Sequence, residues 1–274
     1  LVDLAATSGI VEHAAGDLVL RVRAGTPLRD VHDALRASGQ QLAIDHPVPS
    51  ATVGGVIATA LSGPNRHFFG GVRDLLIGVT AVLADGTVAT SGGKVVKNVA
   101  RYDLGRLYTG SFGTLGVITE AVFRLHPLSA EQRWVSVPSA NVAEVLAVVR
   151  RSQSMPTAVE LNRPDPDGDC EVCVRLDGSA ETTAARAEEL AASLRQVSTT
   201  ARVLGEAPEW WGRLPFDSAA GTGIRIGALP SAVPEVLKAV RAAGCAPVVR
   251  GAAGLGVLHA GLPEGTDPDA VAEF

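Results

Sequence analysis

Apolar and polar positions are patterned in two ways along this chain, and the change falls near Pro127. Before it, apolar residues form short, strand-sized runs punctuated by glycine; after it, amphipathic helices take turns with strands. In the first part Val19 to Val22 is predicted as a strand. Thr26-Pro27 is predicted to open a helix, with the hydroxyl as N-cap and the proline at N1, where its missing N–H costs nothing. Leu28, Val31 and Leu35 share one face of that helix, and Gly39 ends it. Ile77 to Ala84 and Thr87 to Thr90 flank Asp85-Gly86, a type I′ hairpin signal. In the second part strands are predicted over 133–137, 158–162, 170–176, 222–228 and 246–250, and helices over 142–150, 180–195 and 233–243. That order suggests an antiparallel sheet covered by helices on one face, an α+β layer.

With 274 residues, of which 46% are hydrophobic and 19% charged, the chain is long enough for two domains. The longest apolar runs, Ile77 to Ala84 and Leu255 to Ala260, are strand-sized, so no membrane span is expected. A net charge of -5 with scattered Lys and Arg leaves no footprint for nucleic acid. Three cysteines make no disulfide framework and fit a reducing compartment. Cys170 and Cys173 have half of a zinc spacing, but on a strand odd spacing turns the thiols to opposite faces, and no metal site is expected.

Two glycine-spaced segments stand out. Pro49 to Pro64 carries Thr52-Val53-Gly54-Gly55, where consecutive N–H groups and the Thr52 and Thr59 hydroxyls suit a phosphate or a ribityl chain; a tight turn before a buried helix explains it equally well. Gly110 to Glu120 has glycines at 110, 113 and 116, which call for a close backbone contact or an unusual turn. Neither is a G-x-G-x-x-G between strand and helix, so a Rossmann reading fails.

Taken in order, Ala51 to Gly55, Ser62-Gly63-Pro64, Gly70 to Leu75, Leu83 to Gly86, Gly93 to Asn98, Tyr102-Asp103-Leu104 and Gly110 to Glu120 resemble the second half of the FAD domain of p-cresol methylhydroxylase/vanillyl-alcohol oxidase-type flavoproteins. Within that group the chain is most similar to the FAD-binding subunit of bacterial glycolate oxidase. The resemblance is dense to about residue 128 and weaker to about 260. It implies an α+β fold: a p-cresol methylhydroxylase-type FAD-binding domain over 1–128, followed by an α+β cap or substrate domain with an antiparallel sheet over 129–274. Each is expected to lack one end, the first its earlier glycine-rich loop and the second its C-terminal return.

The resemblance also implies roles. FAD contacts are expected at Thr52, Val53, Gly54 and Gly55 along the pyrophosphate and ribityl chain, at Thr59, Ser62 and Gly63 beside the flavin, and at Gly116, Val117 and Ile118 near the adenine. Lys94, Lys97 and Asn98 read either as cofactor contacts or as an exposed loop, Asp74 and Asp103 as N-caps or ligands with the cap favoured for Asp103, and Arg101 stands where the family usually has glycine. The implied reaction is hydride transfer from a small 2-hydroxy acid to flavin N5, with a catalytic flavoprotein paralogue and an iron-sulfur subunit as partners. The implied location is cytoplasmic or peripheral at the inner face of the membrane. A stand-alone FAD-linked oxidase and a non-catalytic scaffold subunit are the alternatives. His67 and His259 are the candidate bases, each with a structural role as the alternative. His13 and His32 read as polar-side residues, His46 and His126 as loop residues, and Trp210-Trp211 as a partner patch or as buried.

Overall fold

Leu20 and Val22 turn to one face of a strand and Arg21 and Arg23 to the other, and the apolar face seeds the first of two cores. A computed structural model describes residues 2–93, 104–216, 222–242, 246–266, 269 and 271. The chain divides into two compact units, Leu1–Leu128 and Ser129–Phe274.

The first unit runs β1 (Ile10–Ala14), β2 (Val19–Arg23), α1 (Leu28–Arg36), β3 (Gln40–Gln41), α2 (Val53–Thr59), α3 (Arg66–Phe69), α4 (Val72–Leu75), β4 (Leu76–Val82), β5 (Val88–Gly92), α5 (Leu104–Tyr108), β6 (Val117–Arg124) and β7 (His126–Pro127). Its antiparallel sheet has the order β1-β2-β6-β4-β5, and β3 pairs with β7. Leu28, Val31 and Leu35 of α1 pack with Val53, Val56 and Ile57 of α2 into the core that contains Leu20, Val22 and Phe123. Gly39 follows α1 with a φ of 66°, the left-handed conformation that glycine adopts without penalty.

Several local expectations change. Pro27, not Thr26, stands at the N-cap of α1. The Thr26 hydroxyl donates to Arg23 O at 2.7 Å and accepts the Gly9 N–H at 2.9 Å, while Leu28 N–H reaches Ala51 O at 2.9 Å. Partners brought by the fold outcompete the local cap. The β4–β5 hairpin forms, but its turn is not type I′: Gly86 has a φ of 85° whereas Asp85 does not enter the left-handed region. Gly86 N–H donates to Leu83 O at 3.0 Å and Leu83 N–H to Thr87 O at 2.9 Å, a type I turn closed by a left-handed glycine. The Asp85 carboxylate accepts the Thr87 N–H at 2.9 Å, and that bond holds the exposed acid below its usual range. Asp74 is not an N-cap; from the third position of α4 it accepts the Gly71 N–H at 2.8 Å. His32, expected on the polar side of α1, is half-buried.

Burial lowers the pKa of His32, His46, His67 and His126, all in the first unit. Each binds its proton more readily in the unfolded chain, where an imidazole titrates at about 6.5. The first unit therefore keeps its full stability above that pH and loses stability as pH falls through the lowered folded values. The urea midpoint of the first unit is expected to be lower at about pH 5.5 than at about pH 7.5. Equal midpoints would show that these imidazoles are hydrated in the folded chain.

The second unit contains β8 (Glu131–Ser139), α6 (Val142–Arg151), β9 (Ala158–Arg163), β10 (Cys170–Gly178), α7 (Ala180–Leu194), β11 (Arg202–Leu204), β12 (Thr222–Gly227), α8 (Val233–Ala242), β13 (Val248–Ala252) and β14 (Val257–Leu262). They form a seven-stranded antiparallel sheet of order β11-β8-β10-β9-β13-β14-β12. Val135, Val137, Val159, Leu161, Val172 and Val174 face α6, α7 and α8. The alternate positions, among them Ser136, Glu160, Asn162 and Arg175, turn to the opposite face and are also buried. There Arg175 Nε lies 3.0 Å from Asp177 Oδ1. Cys170 joins the helix-side core and Cys173 the polar face, and burial raises both thiols above the ordinary cysteine range. This is an α+β architecture.

Candidate functional site

The site begins where the two glycine-spaced segments join. Thr52 caps α2, its hydroxyl accepting the Gly55 N–H at 3.3 Å. Val53 N–H donates to Thr26 O at 2.9 Å, Gly54 N–H to Ala24 O at 2.7 Å and Val56 N–H to Thr52 O at 2.9 Å. The Thr59 hydroxyl donates to Gly55 O at 2.9 Å. The first-turn amides thus have protein acceptors, so they do not form the phosphate nest that the sequence suggested. Thr52, whose oxygen only accepts here, still carries a hydroxyl proton to offer. Gly54 serves packing: a Cβ there would lie 2.9 Å from Ala24 Cβ.

The far end of α2 receives the second segment. Gly110 N–H donates to Ile57 O and Phe112 N–H to Ala58 O, each at 2.9 Å. Phe112 and Gly113 take left-handed φ values of 52° and 74°, which fold the loop back towards the helix. Gly116 then passes so close to β4 that a Cβ would stand 3.0 Å from Val82 O.

Between these segments lies a cleft of ≈ 930 Å3, at the upper end of the 300–1,000 Å3 usual for ligand sites. Thr52, Gly54, Gly55, Gly116, Val117 and Ile118 line it together. Val53 does not; it is buried in the core. Thr59, Ser62 and Gly63 are not among its lining residues. The Ser62 hydroxyl turns to Ala60 O at 3.3 Å, and Gly63 N–H donates to Asp45 O at 2.9 Å, where a Cβ would meet the Asp45 carboxylate at 2.9 Å.

Leu4, Ala5, Ala24, Gly25, Pro27, Asp30, Phe112 and Gly113, for which the sequence carries no site signal, also line the cleft. Gly25 had no local signal, because its constraint comes from the backbone of Leu4 and Thr7. Phe112 lies in plain view inside the glycine-spaced run, but nothing local marks it off from Leu115 as a cleft residue.

The two candidate bases sit in different units. His67, on α3, is half-buried outside the cleft lining; burial lowers its pKa, and its Nδ1 has no hydrogen-bond partner among the described residues. His259, on β14, pairs across strands with Arg225 of β12 and Arg250 of β13. Burial, then the Arg225 charge, lowers its pKa. Trp210 Nε1 donates to Glu171 Oε2 at 2.7 Å and Trp211 packs edge-on against Trp134, so both half-buried tryptophans lie against their own sheet. Lys94, Lys97, Asn98, Arg101 and Asp103 lie outside the described residues. Among the described residues there is no cluster of three or more His, Cys, Asp or Glu side chains fit for a metal ion, and no helix is long and apolar enough to cross a membrane.

The cleft fits part of a flavin dinucleotide well. Apolar side chains and bare glycine backbone make walls for planar rings and a polyol, and Thr52 adds a hydroxyl. Its described lining contains Asp3 and Asp30 and no cation, so the charge of a diphosphate finds no partner in that lining.

The family described as FAD binding domain matches residues 1–92. Glycolate oxidase subunit GlcE of Escherichia coli (strain K12) is 42% identical over 127 residues, 46% of this chain and 36% of that protein. D-lactate dehydrogenase [cytochrome] 1, mitochondrial, of Saccharomyces cerevisiae (strain ATCC 204508 / S288c) is 38% identical over 119 residues, 43% of this chain and 20% of that protein. The chain therefore spans about a third or less of the length of these relatives. A structure of alkyldihydroxyacetonephosphate synthase superposes with a TM-score of 0.73 over 99% of this chain and 61% of that one, at 15% identity, and shows the same fold. Residues 1–92 thus match the FAD binding domain family, the chain is similar in sequence to a glycolate oxidase subunit and to a D-lactate dehydrogenase, it shares the fold of alkyldihydroxyacetonephosphate synthase, and its cofactor is FAD.

Proposed function

We propose that this chain is the FAD-binding portion of an oxidoreductase that oxidises a small 2-hydroxy acid. Its partners in this reading are a catalytic flavoprotein paralogue and an iron-sulfur subunit, in the cytoplasm or at the inner face of the membrane. One observation carries the reading: a ligand-sized cleft formed by the two glycine-spaced segments, inside a domain matched to FAD binding. The relatives named for glycolate and for D-lactate, both 2-hydroxy acids, support the substrate class.

When bound, FAD supplies the hydride acceptor, flavin N5. The cleft walls orient the cofactor through Thr52, Gly55 and Gly116 to Ile118. Their apolar surface excludes water from it. A neutral imidazole receives the substrate hydroxyl proton, and burial keeps both His67 and His259 in that form. His259 has the better surroundings for a substrate acid. In the second unit, read as the cap, Arg225 and Arg250 flank it on neighbouring strands with charge suited to a carboxylate.

The test is a visible absorption spectrum of the purified chain titrated with FAD, followed by anaerobic addition of glycolate or D-lactate. Bound flavin whose long-wavelength band bleaches supports the full reading. Bound flavin that neither acid bleaches removes the catalytic half and leaves a binding subunit; no bound flavin overturns the proposal.

A further inference from the structure

Phe112 is 74% exposed in a chain in which only 4% of residues are aromatic, yet its backbone is tightly held. Its N–H bonds Ala58 O at 2.9 Å, and two residues earlier Gly110 N–H bonds Ile57 O at 2.9 Å, so the loop is fixed to the end of α2. Its φ of 52° puts a bulky residue in the left-handed region, a conformation that persists only where surrounding bonds impose it. Gly113 follows with a φ of 74° and open space where a Cβ would stand. Phe112 lines the same cleft as Thr52 and Gly55. Such an arrangement holds an aromatic side chain in a strained backbone conformation, largely in solvent, at the wall of a cavity. A ligand with a planar face would offset that strain.

Resting on the FAD reading above, we infer that Phe112 stacks against a ring of the bound flavin dinucleotide and sets how tightly the chain holds it. Base–aromatic stacking gives affinity through surface and dispersion and does not need a hydrogen-bond pattern, so an aromatic residue at this point holds either the adenine or the isoalloxazine. An exposed side chain also contributes little to folding, which separates its ligand role from a structural one.

The experiment is a titration of the 274-residue chain and of its F112L and F112W variants with FAD, FMN and ADP, read by flavin fluorescence and by calorimetry, with circular dichroism checking the fold. F112L is expected to weaken FAD binding about tenfold and F112W to retain it. Loss towards FAD and ADP but not FMN puts the ring on the adenine; loss towards FAD and FMN but not ADP puts it on the isoalloxazine. If the unsubstituted chain binds FAD and F112L binds it equally well, this inference fails and the FAD reading stands. If the unsubstituted chain does not bind FAD, both fall.

Discussion

Gly25→Ala is expected to weaken FAD binding by at least about tenfold, with a loss of roughly 1–3 kcal/mol in the stability of the first unit. A Cβ on residue 25 would stand 2.0 Å from Leu4 O and 2.8 Å from Thr7 O. Both obstacles are backbone atoms, so no side-chain rotation relieves the clash. Gly25 N–H also donates to Thr7 O at 2.9 Å, and Leu4 packs against the core, so segment 4–7 must leave as a piece. That segment brings Leu4 and Ala5 to the cleft wall, and its departure opens the cavity to water. Gly16→Ala is the matched control, because nothing lies within 4 Å of the added methyl. Fluorescence titration and chemical unfolding of both variants decide the matter. A Gly25→Ala chain that binds FAD as tightly as the parent would show that the Leu4 to Thr7 wall takes no part in holding the cofactor.

Gly256→Ala is expected to lower the stability of the second unit by roughly 2–5 kcal/mol, combining a left-handed alanine with an overpacked contact. Gly256 has a φ of 70°, and a Cβ would lie 2.0 Å from Ala228 O. Its carbonyl accepts the Ala228 N–H at 2.8 Å, the bond that holds the end of β12 to the start of β14. The residue therefore cannot turn to a more favourable φ without breaking that bond at the end of β12. In calorimetry the second unit should melt about 10 °C lower. Gly227→Ala, which meets no atom within 4 Å, should melt with the parent. A Gly256→Ala chain that melts with it too would mean that the β13–β14 connection relaxes at no cost.

Burial in the second unit sharpens the distinction between inert and reactive groups. Cys173, Glu160 and Asn162 are buried on the polar face of the sheet, and Cys170 lies under the helices. With burial pushing both thiols up, neither cysteine is a nucleophile in the folded chain.

Periodicity alone determined a good deal here. The stripe Leu28, Val31, Leu35 is the buried face of α1, the strand alternation in β10 separates Cys170 from Cys173, and helices α6, α7 and α8 cover one side of an antiparallel sheet. These features depend on which side chains are apolar and on the fixed repeats of helix and strand, both of which are written in the order of residues. The succession of glycine motifs likewise pointed to an FAD-binding domain and its cofactor, which the family match over residues 1–92 supports, because several loops at set spacings are far more specific than one. Whatever depended on partners distant in sequence was settled by the tertiary structure. Thr26 gave up its cap because Gly9 and Arg23 reached its hydroxyl, and the amides of α2 were taken by Thr26 O and Ala24 O before any ligand could claim them. Gly25 and Phe112 became cleft residues through contacts with Leu4 and Ala58, while Val53, Thr59, Ser62 and Gly63, equally prominent in the motif, were not brought into the lining. A hydrogen bond or a van der Waals contact acts over a few ångströms of space without regard to chain separation, so the local pattern states which groups need partners and only the fold chooses them.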